Sequence, residues 1–432
     1  MSRKKITLGA LLGGASLAVS SLSGLIIYPL LLKNCSKEIA GLWLFYTSFT
    51  VVLLLGQAGL APIVMRRGAA VKVDGSAKAI ASYLLLIKKS FRIVSLLVLA
   101  ICVVIYFGYV HWVLLENSTI FYQGLVAWLF FVAGSVINIS NSRNFFIING
   151  FGEVGWDKFT QILITLFTLA GYFLALKLGW GLVGLSVVFF VGSLIYAVSS
   201  SMLLKRFLPL QVQSVKGDVS RNDLISIFKD GGQILVLNLV GILILNKDVF
   251  LVERFLGLTE LPLFSALSRI QGIVISVSLM VPQMIFPFVS QSFSGKDYVR
   301  THRLYLQGVF IAVGIAAFLS AAILIVANWA IPLWLGAGNY LGNTIMFLLL
   351  LIGIVTIHHN AHASAVISTG GSSFMWPAII NGALSLPLAL LGIYWYGIEG
   401  MIIGNIIATV LPSIYVVGYS IKYFNSLKNA AQ

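Results

Sequence analysis

The sequence predicts an all-α polytopic membrane protein, with twelve transmembrane helices in two six-helix lobes. Three observations carry this. First, 59% of the 432 residues are apolar and only 9% are charged. A soluble domain has about 25% charged and about 45–50% apolar residues, and a mean hydropathy of +1.00 leaves too little polar surface to cover one soluble core. Second, the apolar residues fall in continuous runs of about 20, the length that crosses a bilayer as helix. Alternating strands of a β-barrel would read differently. Third, the cations cluster between alternate runs. An ordinary soluble enzyme, a nucleic-acid-binding module and a disordered chain are excluded.

The elements follow in order. Arg3, Lys4 and Lys5 precede the run Thr7–Leu32, which is longer than the roughly 7–15-residue apolar core of a signal peptide and is taken as a retained first span. Ile39–Val64 is the second span. A basic segment, 66–92, follows, with an amphipathic surface helix expected at Ala79–Arg92. Ile93–Val113, Phe121–Ile148, Phe159–Leu178 and Gly181–Leu204 complete the first six. Val215–Asp230 is the most polar stretch and reads as a linker, giving an N-terminal lobe 1–210, a linker 211–231 and a C-terminal lobe 232–432. The second six are Gly232–Phe255, Leu263–Phe293, Leu304–Val326, Gly342–Ser368, Trp376–Tyr394 and Gly397–Tyr423. Internal prolines such as Pro29, Pro282 and Pro387 are compatible with helix in lipid, where neighbours re-satisfy the freed carbonyls.

Of the 28 Lys and Arg, Arg143 and Arg269 fall within spans, while Lys33, Lys37, Lys177, Lys247 and Arg254 fall on one side. The other twenty-one lie on the opposite side. The positive-inside rule makes that side cytoplasmic and places both termini there. The net charge of +15 is then topology and attraction to the inner leaflet, with no nucleic acid needed. The outer loops are short, and an outer belt of aromatics runs from Trp112 and Trp180 to Trp395. Gly181-Leu-Val-Gly184 and Gly397-Ile-Glu-Gly400 each follow a Leu-Ala-Leu run and an aromatic residue (Trp180, Tyr396) at the start of the last span of a half. Asn149-Gly150 and Thr369-Gly370 end the fourth and tenth spans. Two parallel repeats are expected, with a site at their interface.

Ionisable residues inside a bilayer are costly, so they are the first functional pointers. Arg269, near Ser265, Ser268 and Gln271, is either a lumenal cation for an anionic group, which a guanidinium can bind bidentately, or an interfacial snorkel. Lys247 and Asp248, beside Asn246, are either a coupling carboxylate tuned by a cation or a structural ion pair. Asn138, Asn141 and Ser142 share one face of span four, alongside Arg143 and Asn144; His358 and His362 share one face of span ten. These faces are either a polar cavity, where sugars hydrogen-bond and histidine takes up a proton, or helix–helix hydrogen-bonding contacts. Substrate binding is assigned to Arg269, Arg143, Lys247, Asn138, Asn141 and Asn144. Ion coupling, to H+ or Na+, is assigned to Asp248, His358 and His362. His358-x-x-x-His362 also has metal-ligand spacing, but no Cys or carboxylate lies near it, and no metal or other cofactor is expected.

Gly179-Trp-Gly181-Leu-Val-Gly184 fits a dinucleotide fingerprint only formally, since no strand precedes it. There is no P-loop and no nucleophile elbow. Cys35 and Cys102 are too few for a disulfide framework and are expected as free thiols.

Local sequence narrows the family. Gly41-Leu-Trp-Leu-Phe opens span two and Gly56-Gln-Ala-Gly-Leu-Ala-Pro-Ile-Val-Met-Arg-Arg closes it; Leu263-Phe-Ser-Ala-Leu-Ser-Arg269-Ile lies in span eight and Trp334-Leu-Gly336 precedes span ten. Together these resemble the polysaccharide and O-antigen flippases of the multidrug/oligosaccharidyl-lipid/polysaccharide (MOP) exporter superfamily. Gln57-Ala58 departs from an acidic position in that pattern. The resemblance implies a two-lobe fold like that of the multidrug exporters and alternating access. It also implies a lipid-linked (polyprenyl-pyrophosphate) oligosaccharide as cargo, moved across the bacterial inner membrane for O-antigen, lipopolysaccharide or other polysaccharide biosynthesis. The partners implied are membrane lipids, a polysaccharide polymerase and a chain-length regulator. A multidrug exporter of the same superfamily is the alternative, although span one has no Asp or Glu for a cationic drug. A polymerase is disfavoured by the short outer loops, and no enzymatic activity is expected.

Overall fold

The computed structural model describes residues 3–50, 59–208, 212, 214–215, 217–371 and 374–429, with side chains left aside at 3–8, 10 and 232–246. Among these residues the chain is helix joined by short turns, with no strand. That is the expected outcome in lipid, where each backbone N–H and C=O must be satisfied within its own segment. The chain forms two units, Met1–Ile242 and Leu243–Gln432.

The first unit holds α1 (Arg3–Asn34), α2 (Lys37–Ser48), α3 (Ala61–Asp74) and α4 (Ala77–Ile105). A π-helical turn, Tyr106–Val110, carries α4 on into His111–Glu116. Then come α5 (Phe121–Gly150), α6 (Val154–Lys177) and α7 (Gly181–Phe207). The starts of α2 and α4 are set by Ser36 and Ser76, whose hydroxyls accept from Ile39 N and Ala79 N. Of the second span, Ile39–Val64, the ends lie in α2 and α3. Residues 51–58, with Gly56, Gln57 and Ala58 of the family pattern, are outside the described residues. The amphipathic segment Ala79–Arg92 is not a separate surface helix; it is the first half of α4. Its Ile80, Tyr83, Ile87 and Phe91 are buried, while Lys78, Lys88, Lys89 and Arg92 face outward.

Aromatic side chains fill this unit. Tyr46 of α2 meets Trp128 and Phe131 of α5, and its hydroxyl donates to Gly124 O at 2.9 Å. Small residues let backbones approach where lipid offers no hydrophobic drive. At Gly150, for example, a Cβ would lie 2.7 Å from Met65 O of α3.

The segment expected as a linker is docked on α4. Val212 packs with Ile80 and Ala81, and Asp218 N donates to Ser82 Oγ at 3.0 Å. Lys216 lies outside the described residues. Ser220 and Asp223 then cap α8 (Arg221–Leu256) reciprocally. Arg67 of α3 reaches Asp230 at 3.0 Å and Ser226 at 3.1 Å.

The second unit contains the end of α8, then α9 (Leu261–Ser294), α10 (Tyr298–Leu335), α11 (Asn343–Ser368) and α12 (Met375–Asn429). The two spans expected at Trp376–Tyr394 and Gly397–Tyr423 are the arms of α12, folded back at Gly397, where φ is +61° and ψ −145°. The α6–α7 connection is built alike, with Gly181 at φ +52°. In each hairpin the next glycine of the predicted pair lies under the aromatic residue. A Cβ on Gly184 would be 2.5 Å from Trp180 Cβ, and one on Gly400 would be 2.7 Å from Tyr396 Cβ. Among the described residues nine helices are long and apolar enough to cross a membrane, α12 counting once.

Candidate functional site

In the first unit the polar face of span four lies on α5. Asn138 Nδ2 donates to Ser193 Oγ at 2.9 Å, and Asn144 Nδ2 to Ser200 Oγ and Ser201 Oγ at 3.1 and 3.2 Å, all on α7. Asn141 Nδ2 donates to Ile137 O of its own helix. The amide donors of Asn138 and Asn144 thus fasten α5 to α7. Arg143 points elsewhere. Five positions beyond Asn138, it is rotated about 140° around the helix from it. It is half-buried, and among the described residues no hydrogen bond or ion pair engages it.

The second unit holds the other predicted residues. Arg269 is half-buried on α9, about 12 Å along that helix from Leu261 at 1.5 Å per residue. Lys247 and Asp248 form an ion pair, Nζ to Oδ1 3.1 Å, with side-chain exposures of 8% and 23%. The Asn246 side chain lies outside the described residues. Asn405, on the second arm of α12, donates its Nδ2 to both carboxylate oxygens of Asp248, at 3.0 and 2.9 Å. Asn405 was not among the residues singled out from the sequence.

His358 and His362 meet as their spacing predicts, Nε2 to Nε2 3.2 Å. His362 Nδ1 lies 2.8 Å from the hydroxyl of Tyr305 on α10, a second residue sequence reasoning missed. Tyr305 and His362 are buried, and the Tyr305 ring stacks on Phe424 with centroids 4.0 Å apart. His359 turns to α12, its Nδ1 2.9 Å from Ser413 Oγ. Ser413 Oγ donates to Thr409 O, and Thr409 Oγ1 donates to Asn405 O. Asn405, Thr409 and Ser413 recur every four residues, so they share one face of α12, and all three are buried. A polar stripe about 12 Å long therefore runs along α12 from the histidines to the Lys247–Asp248 pair. The stripe thus joins His359, the neighbour of the His358–His362 pair on α11, to the Asp248 carboxylate. The repeat spacing of Asn405, Thr409 and Ser413 was the signal for it in the sequence.

Among the described residues no group of three or more His, Cys, Asp and Glu is placed to hold a metal ion. Cys35 and Cys102 are free thiols.

No protein-family model and no curated protein sequence matches the chain. Solved structures do. A multidrug resistance MATE family transporter of the MOP superfamily, in its inward-facing conformation, superposes with a TM-score of 0.74 at 15% identity, over 96% of each chain. Lipid II flippase MurJ, in an inward closed conformation, gives 0.73 at 13% identity, over 98% of this chain and 90% of that one. A MATE structure in complex with MaD3S gives 0.62 at 16% identity. The chain is an all-α polytopic membrane protein with the fold these transporters share.

Proposed function

We propose that the chain is a flippase. Its cargo would be an anionic lipid-linked oligosaccharide on a polyprenyl pyrophosphate, carried across the bacterial inner membrane by alternating access for O-antigen or other polysaccharide assembly. The transporter fold supports movement of a cargo. The observation that favours an anionic cargo is Arg143, an intramembrane guanidinium engaged by no hydrogen bond or ion pair among the described residues. Such a cation is costly in lipid unless a partner arrives, and its planar fork suits the two oxygens of a phosphate. Arg269 would serve as a second phosphate contact, and the half-buried Asn138 and Asn141 would offer amide oxygens to sugar hydroxyls, as would Asn144, buried here against α7, once the helices part. Lys247 is committed to Asp248, which argues for a place in coupling rather than in cargo binding. The coupling ion, H+ or Na+, would act at Asp248, His358 and His362. A polymerase and a chain-length regulator are the partners such a flippase would serve.

The second reading is a multidrug exporter of the same superfamily, supported by the MATE likeness. Against it, the carboxylate of Asp248, which a cationic drug would seek, is held by Lys247 and Asn405. A strain lacking its own flippase separates the two. With the wild-type chain, surface glycan should return; with Arg143→Ala or Arg269→Ala at equal protein level it should fall at least tenfold, with lipid-linked precursor accumulating on the cytoplasmic side. No glycan dependence on the wild-type chain, together with raised resistance to cationic dyes, would favour the exporter.

A further inference from the structure

We infer that Tyr305, His362 and His358 form a proton relay, leading from the basic end of the second unit into its interior. This deepens the coupling reading above and rests on it. The three groups are in hydrogen-bond sequence: Tyr305 Oη to His362 Nδ1 at 2.8 Å, then His362 Nε2 to His358 Nε2 at 3.2 Å. Each can both take and give a proton, and each imidazole is entered at one nitrogen and left at the other. The sequence starts near His302. That side chain is half-exposed, lies one helical turn before Tyr305 on α10 with ring centroids 6.2 Å apart, and bonds Asn425 at 2.9 Å. Arg300, Arg303 and Lys422 surround that end in sequence. His358 stands about 15 Å along α11 from Ser368.

The step balances without any co-reactant. Tyr305 accepts at Oη a proton that originates in the water at the half-exposed His302 end, as it gives its own to His362 Nδ1. His362 releases its Nε2 proton to His358 Nε2, and His358, which is half-exposed, releases the proton on its Nδ1 to water. Each member gains one proton and loses one, and each histidine changes tautomer. From the neighbouring His359, the α12 stripe of Ser413, Thr409 and Asn405 carries polar groups on to the Asp248 carboxylate.

The neighbours of α11 favour passage over storage. In the basic halves of the helices packed on it, α10 brings Tyr298, Arg300, His302, Arg303 and Tyr305, with Asp297 capping its start by accepting from Arg300 N, and α12 brings Tyr415, Tyr419, Lys422, Tyr423 and Lys428. α9 brings no ionisable residue there, its one charge being Arg269 near the other end. The only carboxylate on α9 to α12 is Glu399, at the Gly397 turn. A proton resting on these histidines would find no counter-ion on those helices.

The test needs no cargo. Histidine-15N-labelled protein in lipid nanodiscs reports solvent exchange of the imidazole N–H protons. In the wild type, exchange at buried His362 should be fast. Tyr305→Phe, which keeps the ring on Phe424, should slow it at least tenfold, as should His358→Gln, which keeps a hydrogen bond but cannot relay. Unchanged exchange in both variants would overturn the relay and leave the network as a fastening between α10 and α11, even if thermal stability fell. In vesicles, accumulation of a fluorescent polyprenyl pyrophosphate disaccharide driven by a pH gradient should fall at least tenfold in each variant. A wild type that moves no probe would remove the flippase reading while leaving the exchange result standing.

Discussion

Lys247 and Asp248 are consecutive, yet their charges meet because the lysine stem is long enough to bend its Nζ back to 3.1 Å from Oδ1. Asn405 completes the set from 157 positions away. Removing one member of a buried pair leaves an uncompensated charge and costs about 3–5 kcal/mol, whereas replacing both by apolar residues is often neutral. Lys247→Met should therefore lower the thermal unfolding midpoint of purified protein strongly, and Lys247→Met with Asp248→Leu should restore most of it. The double variant should still lose ion-driven transport. If the double variant is as unstable as the single one, the pair is not what holds Asp248. Residue types were legible in the sequence here, because any ionisable residue within an apolar run stands out. Partners were not. The spacing of Asn405, Thr409 and Ser413 marks one face of α12 but not what that face meets, and Tyr305 carries no such repeat; only the packing of α12 on α8 and of α10 on α11 brings them to Asp248 and His362.

At the scale of the element, the hairpins at Gly181 and Gly397 carry the most information per residue. A turn with φ in the left-handed region excludes most side chains, and the glycines that follow it decide how closely the arms approach. In α12 a Cβ on Gly392 would collide with Gly400 O, and one on Gly400 with Gly392 O. Both atoms are backbone and cannot swing aside. Gly400→Ala should force the arms apart and cost about 1–3 kcal/mol, read as a lower unfolding midpoint. Gly418→Ala on the same helix, where a Cβ meets nothing within 4 Å, should be neutral or slightly stabilising. Equal effects of the two would mean that close approach of the arms does not matter. Hydropathy located these spans because bilayer thickness fixes their length, and glycine spacing located the turns. Neither could place α4 correctly at its basic end. There Ala79–Arg92 has the look of a surface helix, but its apolar stripe is buried within the first unit and simply continues into the membrane span. The cap of α8 adds a pH term at this scale. Ser220 hydrogen bonds hold the Asp223 carboxyl below the usual carboxylate range, so this support is complete above about pH 4 and is lost only as pH falls through that lowered value.

For the whole molecule, charge and cysteine placement give a test of orientation. Twenty-one cations on one side against five on the other predict that the ends of α1 and α2 nearest residue 35 face outward. Cys35 lies there, between Asn34 and Lys37, and is half-buried; Cys102 is buried within α4. In intact spheroplasts a membrane-impermeant thiol reagent should thus label Cys35 and spare Cys102, and Cys35→Ser should abolish the signal. The rate carries its own check. Burial pushes the Cys35 thiol above the ordinary cysteine range, and the thiolate is the reacting form. Labelling should be slow at pH 7 and rise about tenfold from pH 7 to pH 8, because that unit multiplies the thiolate fraction about tenfold while the thiol stays mostly protonated. Labelling of Cys35 only in inverted vesicles would reverse the topology. The cations would then lie outside, and the relay from His302 through Tyr305 would open to the external solution rather than to the cytoplasm. The direction of any proton-driven cargo movement would reverse with it.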